Sequence, residues 1–240
     1  MPDSTPVPVL AVKALRKEYG DLVAVEDVSF DLPAGRSLAI VGESGSGKTT
    51  IARMIVGLEA PTRGTITACG HDRSRLARSA RLRRRRGREV QIVFQDPYTS
   101  LDPRQSAVDA IDEVLRLHHG WPADRRQARA AEPRILILDE SVAALDVSIQ
   151  AQVLNLLADI RDSTAVSYVL ISHDLAVVRQ LTDQAIVLWH GQIVEAGPTG
   201  QVLDHPRHDY TRRLRASVPR PGWKPSRQFF PHYRPKETTP

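Results

Sequence analysis

Apolar residues in this chain recur in three patterns, and each pattern predicts a different kind of element. Unbroken apolar runs at Leu38–Val41 and Ile135–Leu138 read as buried strands of a parallel sheet. Val90–Phe94 and Ser167–Ile171 read as further strands, and Ala185–Trp189 with Gln192–Glu195 as a hairpin across His190-Gly191. Looser alternation over Leu10–Lys17 and Val23–Leu32 predicts two strands near the N-terminus, the second ending at Pro33-Ala34-Gly35. Thr65–Ala68 is a short strand after the turn Pro61–Gly64. Helical spacing appears from Ile51, Met54 and Ile55 to about Leu58, and over Ala107–Leu117, Ile149–Ile160, Leu175–Leu181 and 200–217. Gly120-Trp121-Pro122 breaks the pattern, and Ala123–Ala131 has room for about two turns before Glu132-Pro133. Strands alternating with helices predict an α/β protein with a mainly parallel core sheet, a small antiparallel β part near the N-terminus, and ligands at the strand carboxyl ends.

Composition narrows this modestly. With 240 residues, 41% of them hydrophobic, the chain can bury a sizeable core. A net charge of +5 is too small to indicate nucleic acid as a partner. The unbroken run Arg83–Arg86, part of nine arginines in 72–88, has no interleaved aromatics and reads as a solvated helical face. The single Cys69 forms no internal disulfide and suits a reducing compartment. No apolar run reaches the ~18 residues of a membrane span, and Pro2, Pro6 and Pro8 interrupt any signal-peptide core. A membrane role has to come through a partner. The expected organisation is one domain over 1–218 and a proline-rich, disordered tail over 219–240.

The stretch that carries chemistry is Gly42-Glu43-Ser44-Gly45-Ser46-Gly47-Lys48-Thr49-Thr50, between the Leu38–Val41 strand and the Ile51 helix. It matches G-x-x-x-x-G-K-S/T in the strand–loop–helix context that the motif requires. Glycines let backbone N–H groups turn towards phosphate oxygens, and the helix N-terminus adds partial positive charge. Lys48 reaches the β- and γ-phosphates of a nucleoside triphosphate, and Thr49 ligates Mg²⁺. Asp139, after the Ile135 strand, is a second Mg²⁺ holder, and Glu140 orients or deprotonates the attacking water. His173 ends another strand and can contact the γ-phosphate, and Gln95 ends a third and can sense Mg²⁺ or the water. Tyr19 offers an aromatic face for adenine.

This ordered set resembles the nucleotide-binding subunit of ABC transporters over roughly residues 8–218. It rests on Tyr19, Gly42–Thr50, Gln95, Leu138-Asp139-Glu140, Ala144-Leu145-Asp146 and His173. Residues 93–104, 146–153 and His205-Pro206-Arg207-His208-Asp209-Tyr210-Thr211 are similar to the oligopeptide/dipeptide importer branch. The resemblance implies an ABC-type P-loop ATPase that uses ATP and Mg²⁺ and works at the cytoplasmic face of the inner membrane. The implied partners are a second ATPase subunit, homo- or heterodimeric, transmembrane permease subunits and, indirectly, a substrate-binding protein. It also implies that Asp146 communicates across the dimer.

The chain departs from that family in one respect. Members carry Leu-Ser-Gly-Gly-Gln or close to it in a helical subdomain, whereas this sequence has no Gly-Gly pair, and only 91 positions separate Lys48 from Asp139. Ala123-Asp124-Arg125-Arg126 resembles the start of one family helix and Arg129–Pro133 the end of a later one, so the segment between them is lost. The helical subdomain is thus a truncated remnant over about 104–132. Ser141 stands where the family usually has proline. In the family's head-to-tail sandwich each ATP lies between one subunit's loop and the other's signature, so this chain needs a partner to complete its site. An ATP-binding or remnant subunit without hydrolysis stays open as an alternative, as does a same-branch importer of nickel or another small solute.

Overall fold

The computed structural model describes residues 7–94, 133–140 and 147–217. Gln95, Asp146, the helices expected at 107–117 and 123–131, the subdomain remnant at 104–132 and the 219–240 tail lie outside the described residues. In chain order the elements are β1 (Leu10–Tyr19), β2 (Leu22–Leu32), β3 (Ser37–Val41), α1 (Lys48–Val56), β4 (Arg63–Ala68) and β5 (His71–Asp72). Next come α2 (Ala80–Glu89), β6 (Val90–Val93), β7 (Ile135–Asp139), α3 (Val147–Ser163) and β8 (Ser167–Ile171). The last are α4 (Leu175–Leu181), β9 (Gln184–Trp189), β10 (Gln192–Pro198), α5 (Thr199–Asp204) and α6 (Asp209–Ala216).

Two sheets result. One is antiparallel, in the order β2-β1-β4-β5; the other has the order β10-β9-β3-β8-β7-β6. The larger sheet is parallel from β9 to β6, with β10 added antiparallel at one edge. Its central strands β3 and β8 are buried at every position because both of their faces are covered, whereas the edge strands β10 and β6 are partly exposed. On β3, Leu38 and Ile40 join one buried cluster while Ala39 and Val41 join another. Val169 and Ile171 alternate in the same way with Tyr168 and Leu170 on β8, as do Ile186 and Leu188 with Ala185 and Val187 on β9. The first cluster is shared with β1, β2, β4 and α1, so α1 (through Ile51, Ala52, Met54 and Ile55) is enclosed between the two sheets. The second is shared with α3, α4, α5 and α6. Side-chain alternation with a period of two thus assigns each unbroken run to two cores at once.

Several boundaries differ from the sequence expectation, each for a local reason. β4 begins at Arg63, inside the expected turn. Gly64, at φ +87°, lets that strand approach β1, and a Cβ there would lie 2.3 Å from the Ala14 carbonyl oxygen. The helical stretch expected over 200–217 is two helices, with Pro206 between them. The β9–β10 turn has φ of +47° at His190 and +78° at Gly191, the left-handed pair that suits a two-residue hairpin. The arginine-rich stretch is not wholly a solvated face. Arg73 is fully buried and donates to the Glu89 carboxylate at 2.8 Å and to the Arg86 carbonyl at 3.0 Å. Arg86, also buried, donates to the carbonyls of Arg75 and Asp72. Arg81, Arg84, Arg85 and Arg88 are exposed, as expected. Among the described residues no helix is long and apolar enough to cross a membrane.

Ile40 sits fully buried in the interior strand beneath the loop. Ile40→Ala is expected to cost about 2–5 kcal/mol, read from the urea midpoint of unfolding; a loss below about 1 kcal/mol would show that this strand does not anchor the core.

Candidate functional site

The loop Gly42–Gly47 joins β3 to α1; its two end glycines have very little free space around their backbone, while Glu43, Ser44 and Gly45 between them are exposed. A Cβ on Gly42 would lie 2.3 Å from the Leu188 carbonyl oxygen, and one on Gly47 would lie 2.4 Å from that of Ala24. Gly47 also caps α1 at φ +103°, which glycine alone adopts without strain. It offers no side-chain cap, and the first turn of α1 contains no acidic residue. The helix therefore presents uncapped N–H groups and the positive end of its dipole to whatever lies in the loop, an arrangement that favours an anion. Ser46 Oγ, buried without a hydrogen-bond partner among the described residues, is one more polar atom available there.

Lys48 is 5% exposed, and its ammonium donates to the carbonyls of Gly42 at 2.9 Å and Glu43 at 2.8 Å. Burial pushes that ammonium below its ordinary pKa, against the pull of Glu140, Asp139 and Glu43. On β7, Asp139 is 3% exposed and accepts from the Thr49 hydroxyl at 3.2 Å. Burial pushes its carboxyl up, the Thr49 hydrogen bond opposes this, and neighbouring Glu140 adds to it. Each of these charges is thus desolvated without full compensation. A triphosphate carrying a divalent cation brings both counter-charges at once, the anion to Lys48 and the cation to Asp139. Hydroxyl and carboxylate oxygens suit a hard ion such as Mg²⁺, which takes one or two carboxylates and fills its shell with phosphate and water. Among the described residues no three His, Cys, Asp or Glu side chains converge, so the site is not an all-protein cage.

Glu140 follows Asp139 in the left-handed region, at φ +49°, where its amide donates to the Ile171 carbonyl at 2.9 Å. Its carboxylate lies 3.6 Å from Nδ1 of His173, which follows β8. Glu140 and His173 line one cleft of about 510 Å³ with Tyr19, Leu22, Ala24, Ser44, Gly45, Gly47, Lys48, Thr49 and Thr50. Tyr19 is 43% exposed and its hydroxyl donates to Glu59. The Lys17 ammonium stands 4.9 Å from the ring centroid, so a stacked base has only the opposite face. The structure therefore brings together Tyr19, the loop, Asp139, Glu140 and His173 from both sheets. Sequence reasoning missed Tyr210, whose hydroxyl accepts from the Glu43 amide at 3.0 Å. Its only signal was membership of the 205–211 stretch quoted above for the resemblance.

A glycine loop between a parallel strand and a helix, facing a carboxylate at the end of a strand two places along the same sheet, defines the P-loop class of nucleotide-binding fold. The protein-family profile described as "ABC transporter" matches residues 25–132. The "Di/tripeptide transport ATP-binding protein DppF" of Pseudomonas aeruginosa is 38% identical, with 86% of this chain and 75% of that protein aligned. The chain belongs to the ABC transporter family. It is also 41% identical to the "Oligopeptide transport ATP-binding protein OppD" of Mycobacterium tuberculosis, with 86% of this chain and 39% of that protein aligned. The "Glutathione import ATP-binding protein GsiA" of Escherichia coli K12 is 41% identical over 89% of this chain and 40% of its own length. The chain spans about two-fifths of the length of these last two relatives. Among solved structures, cbiO1 from Clostridium perfringens, described as part of the ABC transporter complex cbiONQ, superposes with a TM-score of 0.72 at 21% identity. It matches 82% of this chain and 91% of its own. The dimeric ATP-binding cassette MJ0796 bound to ADP and Pi superposes with a TM-score of 0.69 at 21% identity, over 79% of this chain and 98% of its own. These two likenesses establish the shared fold.

The alignments also run longer than the part of this chain that they cover. The OppD alignment has 242 positions yet covers 86% of 240 residues, about 206, which leaves about 36 positions with no residue of this chain opposite. The same arithmetic on the GsiA and DppF alignments gives about 36 and about 37. A constant shortfall against three relatives places the change in this chain.

Asp139→Asn removes a buried charge while keeping the shape. The variant is expected to unfold at the same or a higher temperature than the native sequence without ligand, and to lose most of the rise in Tm that MgATP gives. Thermal scans with and without MgATP check this, and an undiminished rise would remove Asp139 from the metal site.

Proposed function

We propose that this chain is the ATP-binding and hydrolysing subunit of an ABC importer for peptides, acting at the cytoplasmic face of the membrane on permease subunits. One observation carries the reading: the phosphate-loop residues, Glu140 and His173 open onto a single cleft, with Asp139 hydrogen-bonded to Thr49 beside it. The printed names of the relatives, oligopeptide, di/tripeptide and glutathione transport, support peptides as the substrate class.

In this reading the amides of Gly42–Thr50 and the Lys48 ammonium hold the phosphates, and the free face of Tyr19 receives the adenine. Thr49, Asp139 and Gln95 would hold Mg²⁺, which would supply positive charge against the phosphates. Glu140 aligns a water with the γ-phosphorus and takes its proton as the bond to the bridging oxygen breaks, leaving ADP and phosphate. His173, 3.6 Å from that carboxylate, supports it and the γ-phosphate. Holding Glu140 in the left-handed region costs about 1–3 kcal/mol, a cost that a fixed catalytic orientation accounts for. Asp146 takes part in contact across the dimer. The missing segment leaves this chain without a signature of its own, so it cannot complete a partner's site, whereas a second ATPase subunit with an intact signature supplies the donors opposite this chain's γ-phosphate. Hydrolysis is therefore asymmetric: it occurs at this chain's loop and requires the partner.

The expected outcome is MgATP binding by the isolated chain with turnover at least ~10²-fold below that of the complex with its cognate ATPase subunit. A colorimetric phosphate assay with and without that subunit measures it; fast turnover by the chain alone would refute the asymmetry. Within the complex, Glu140→Gln should lower kcat by ~10²-fold or more while leaving MgATP affinity near native. The lost segment also favours a second reading, a subunit that binds ATP without hydrolysing it. That reading predicts binding with no turnover even in the complex, and no change on Glu140→Gln.

A further inference from the structure

The Gly42–Glu43 peptide unit is held at both of its polar ends. Its carbonyl, on Gly42, accepts from the Lys48 ammonium at 2.9 Å. Its N–H, on Glu43, donates to the Tyr210 hydroxyl at 3.0 Å. The next carbonyl, on Glu43, accepts from Lys48 at 2.8 Å and from the Ser46 amide at 3.2 Å. Rotation of this peptide would therefore cost the Tyr210 bond and one of the two carbonyl bonds of the lysine together.

Tyr210 is itself fixed from three directions. It is 3% exposed in the first turn of α6. Its ring stacks on Trp189, at the end of β9, with centroids 5.5 Å apart and planes at 28°. The start of α6 is tied to the same hairpin, because the Glu195 carboxylate accepts from the amides of Arg207 at 2.8 Å and His208 at 3.1 Å. That hairpin touches the loop directly as well: the Gly191 amide donates to the Ser46 carbonyl at 3.1 Å.

We infer that Tyr210, backed by Trp189, is a positioning residue for the phosphate loop: it fixes the Gly42–Glu43 peptide and through it the place of Lys48, so that α6 and the β9–β10 hairpin set nucleotide affinity. The inference rests on the nucleotide-binding reading above. Its chemistry is specific to the hydroxyl. Phenylalanine keeps the buried ring and the stack but leaves the Glu43 amide without its acceptor.

The test is Tyr210→Phe in the full chain, with three readouts: MgATP affinity by titration calorimetry, Tm without ligand, and hydrogen exchange at the Glu43 amide. MgATP binding is expected to weaken by about 5- to 30-fold, with Glu43 exchange accelerated and Tm close to native. In the complex with a second ATPase subunit, KM for ATP should rise more than kcat falls. Native affinity and native Glu43 exchange in the variant would overturn the inference. So would an affinity loss matched by a fall in Tm with Glu43 exchange unchanged, which is the signature of general destabilisation. Trp189→Leu, which leaves the hydroxyl but removes its support, should weaken MgATP binding in the same direction by a smaller factor; unchanged affinity would also count against the inference. Failure of the unmodified chain to bind MgATP would overturn the nucleotide reading and this inference with it. Normal binding by the unmodified chain with no effect of Tyr210→Phe would overturn the inference alone.

Discussion

The close fit of the backbone at Gly42 and Gly47 into its surroundings is the constraint on which the rest of this structure depends. Carbonyl oxygens of Leu188 and Ala24 come so near that no side chain fits at Gly42 or Gly47. Those two carbonyls belong to different sheets, β9 of the parallel sheet and β2 of the antiparallel one. The loop is correctly shaped only if both sheets are in place, and α1 buried between them supplies the apolar packing that keeps them so. A dense interior transmits small displacements instead of absorbing them, so errors in either core reach the phosphate site.

Charge in the site works against stability. Lys48 and Asp139 are both almost fully buried, and burial shifts each towards its neutral form. Without ligand, Lys48 bonds two carbonyls of its own loop and Asp139 bonds Thr49. These contacts satisfy hydrogen-bonding capacity without neutralising charge. A ligand of matching charge then releases energy that the fold has stored, which favours tight binding. At the buried Arg73–Glu89 pair, by comparison, opposite charges meet directly at 2.8 Å, with one further bond from Arg73 to the Arg86 carbonyl, although burial still shifts Arg73 towards its neutral form.

Loss of about three dozen positions relative to three relatives has left the phosphate half of the site intact. Of the elements that build it, β3, β8 and β7 pair continuously in one sheet with β9, and α1 follows directly on the loop from β3. In the proposed reading affinity follows from this local backbone, and turnover from a second subunit.

Sequence alone determined the α/β class, the parallel strands and the residues of the loop, since unbroken apolar runs and a motif of fixed spacing are local signals. It also named Asp139, Glu140 and His173, because each follows directly on a strand whose end it must share. Tertiary structure decided which residues meet. The approach of Tyr19 and Ala24 to the cleft depends on one sheet packing over another. The burial of Arg73 depends on α2 folding back on β5, although Asp72 before it is exposed and Ser74 after it only half-buried. The contact between Tyr210 and Glu43 joins residues 167 positions apart. No local periodicity encodes such a distance; only the closure of the β9–β10 hairpin and the docking of α6 bring that hydroxyl to the phosphate loop.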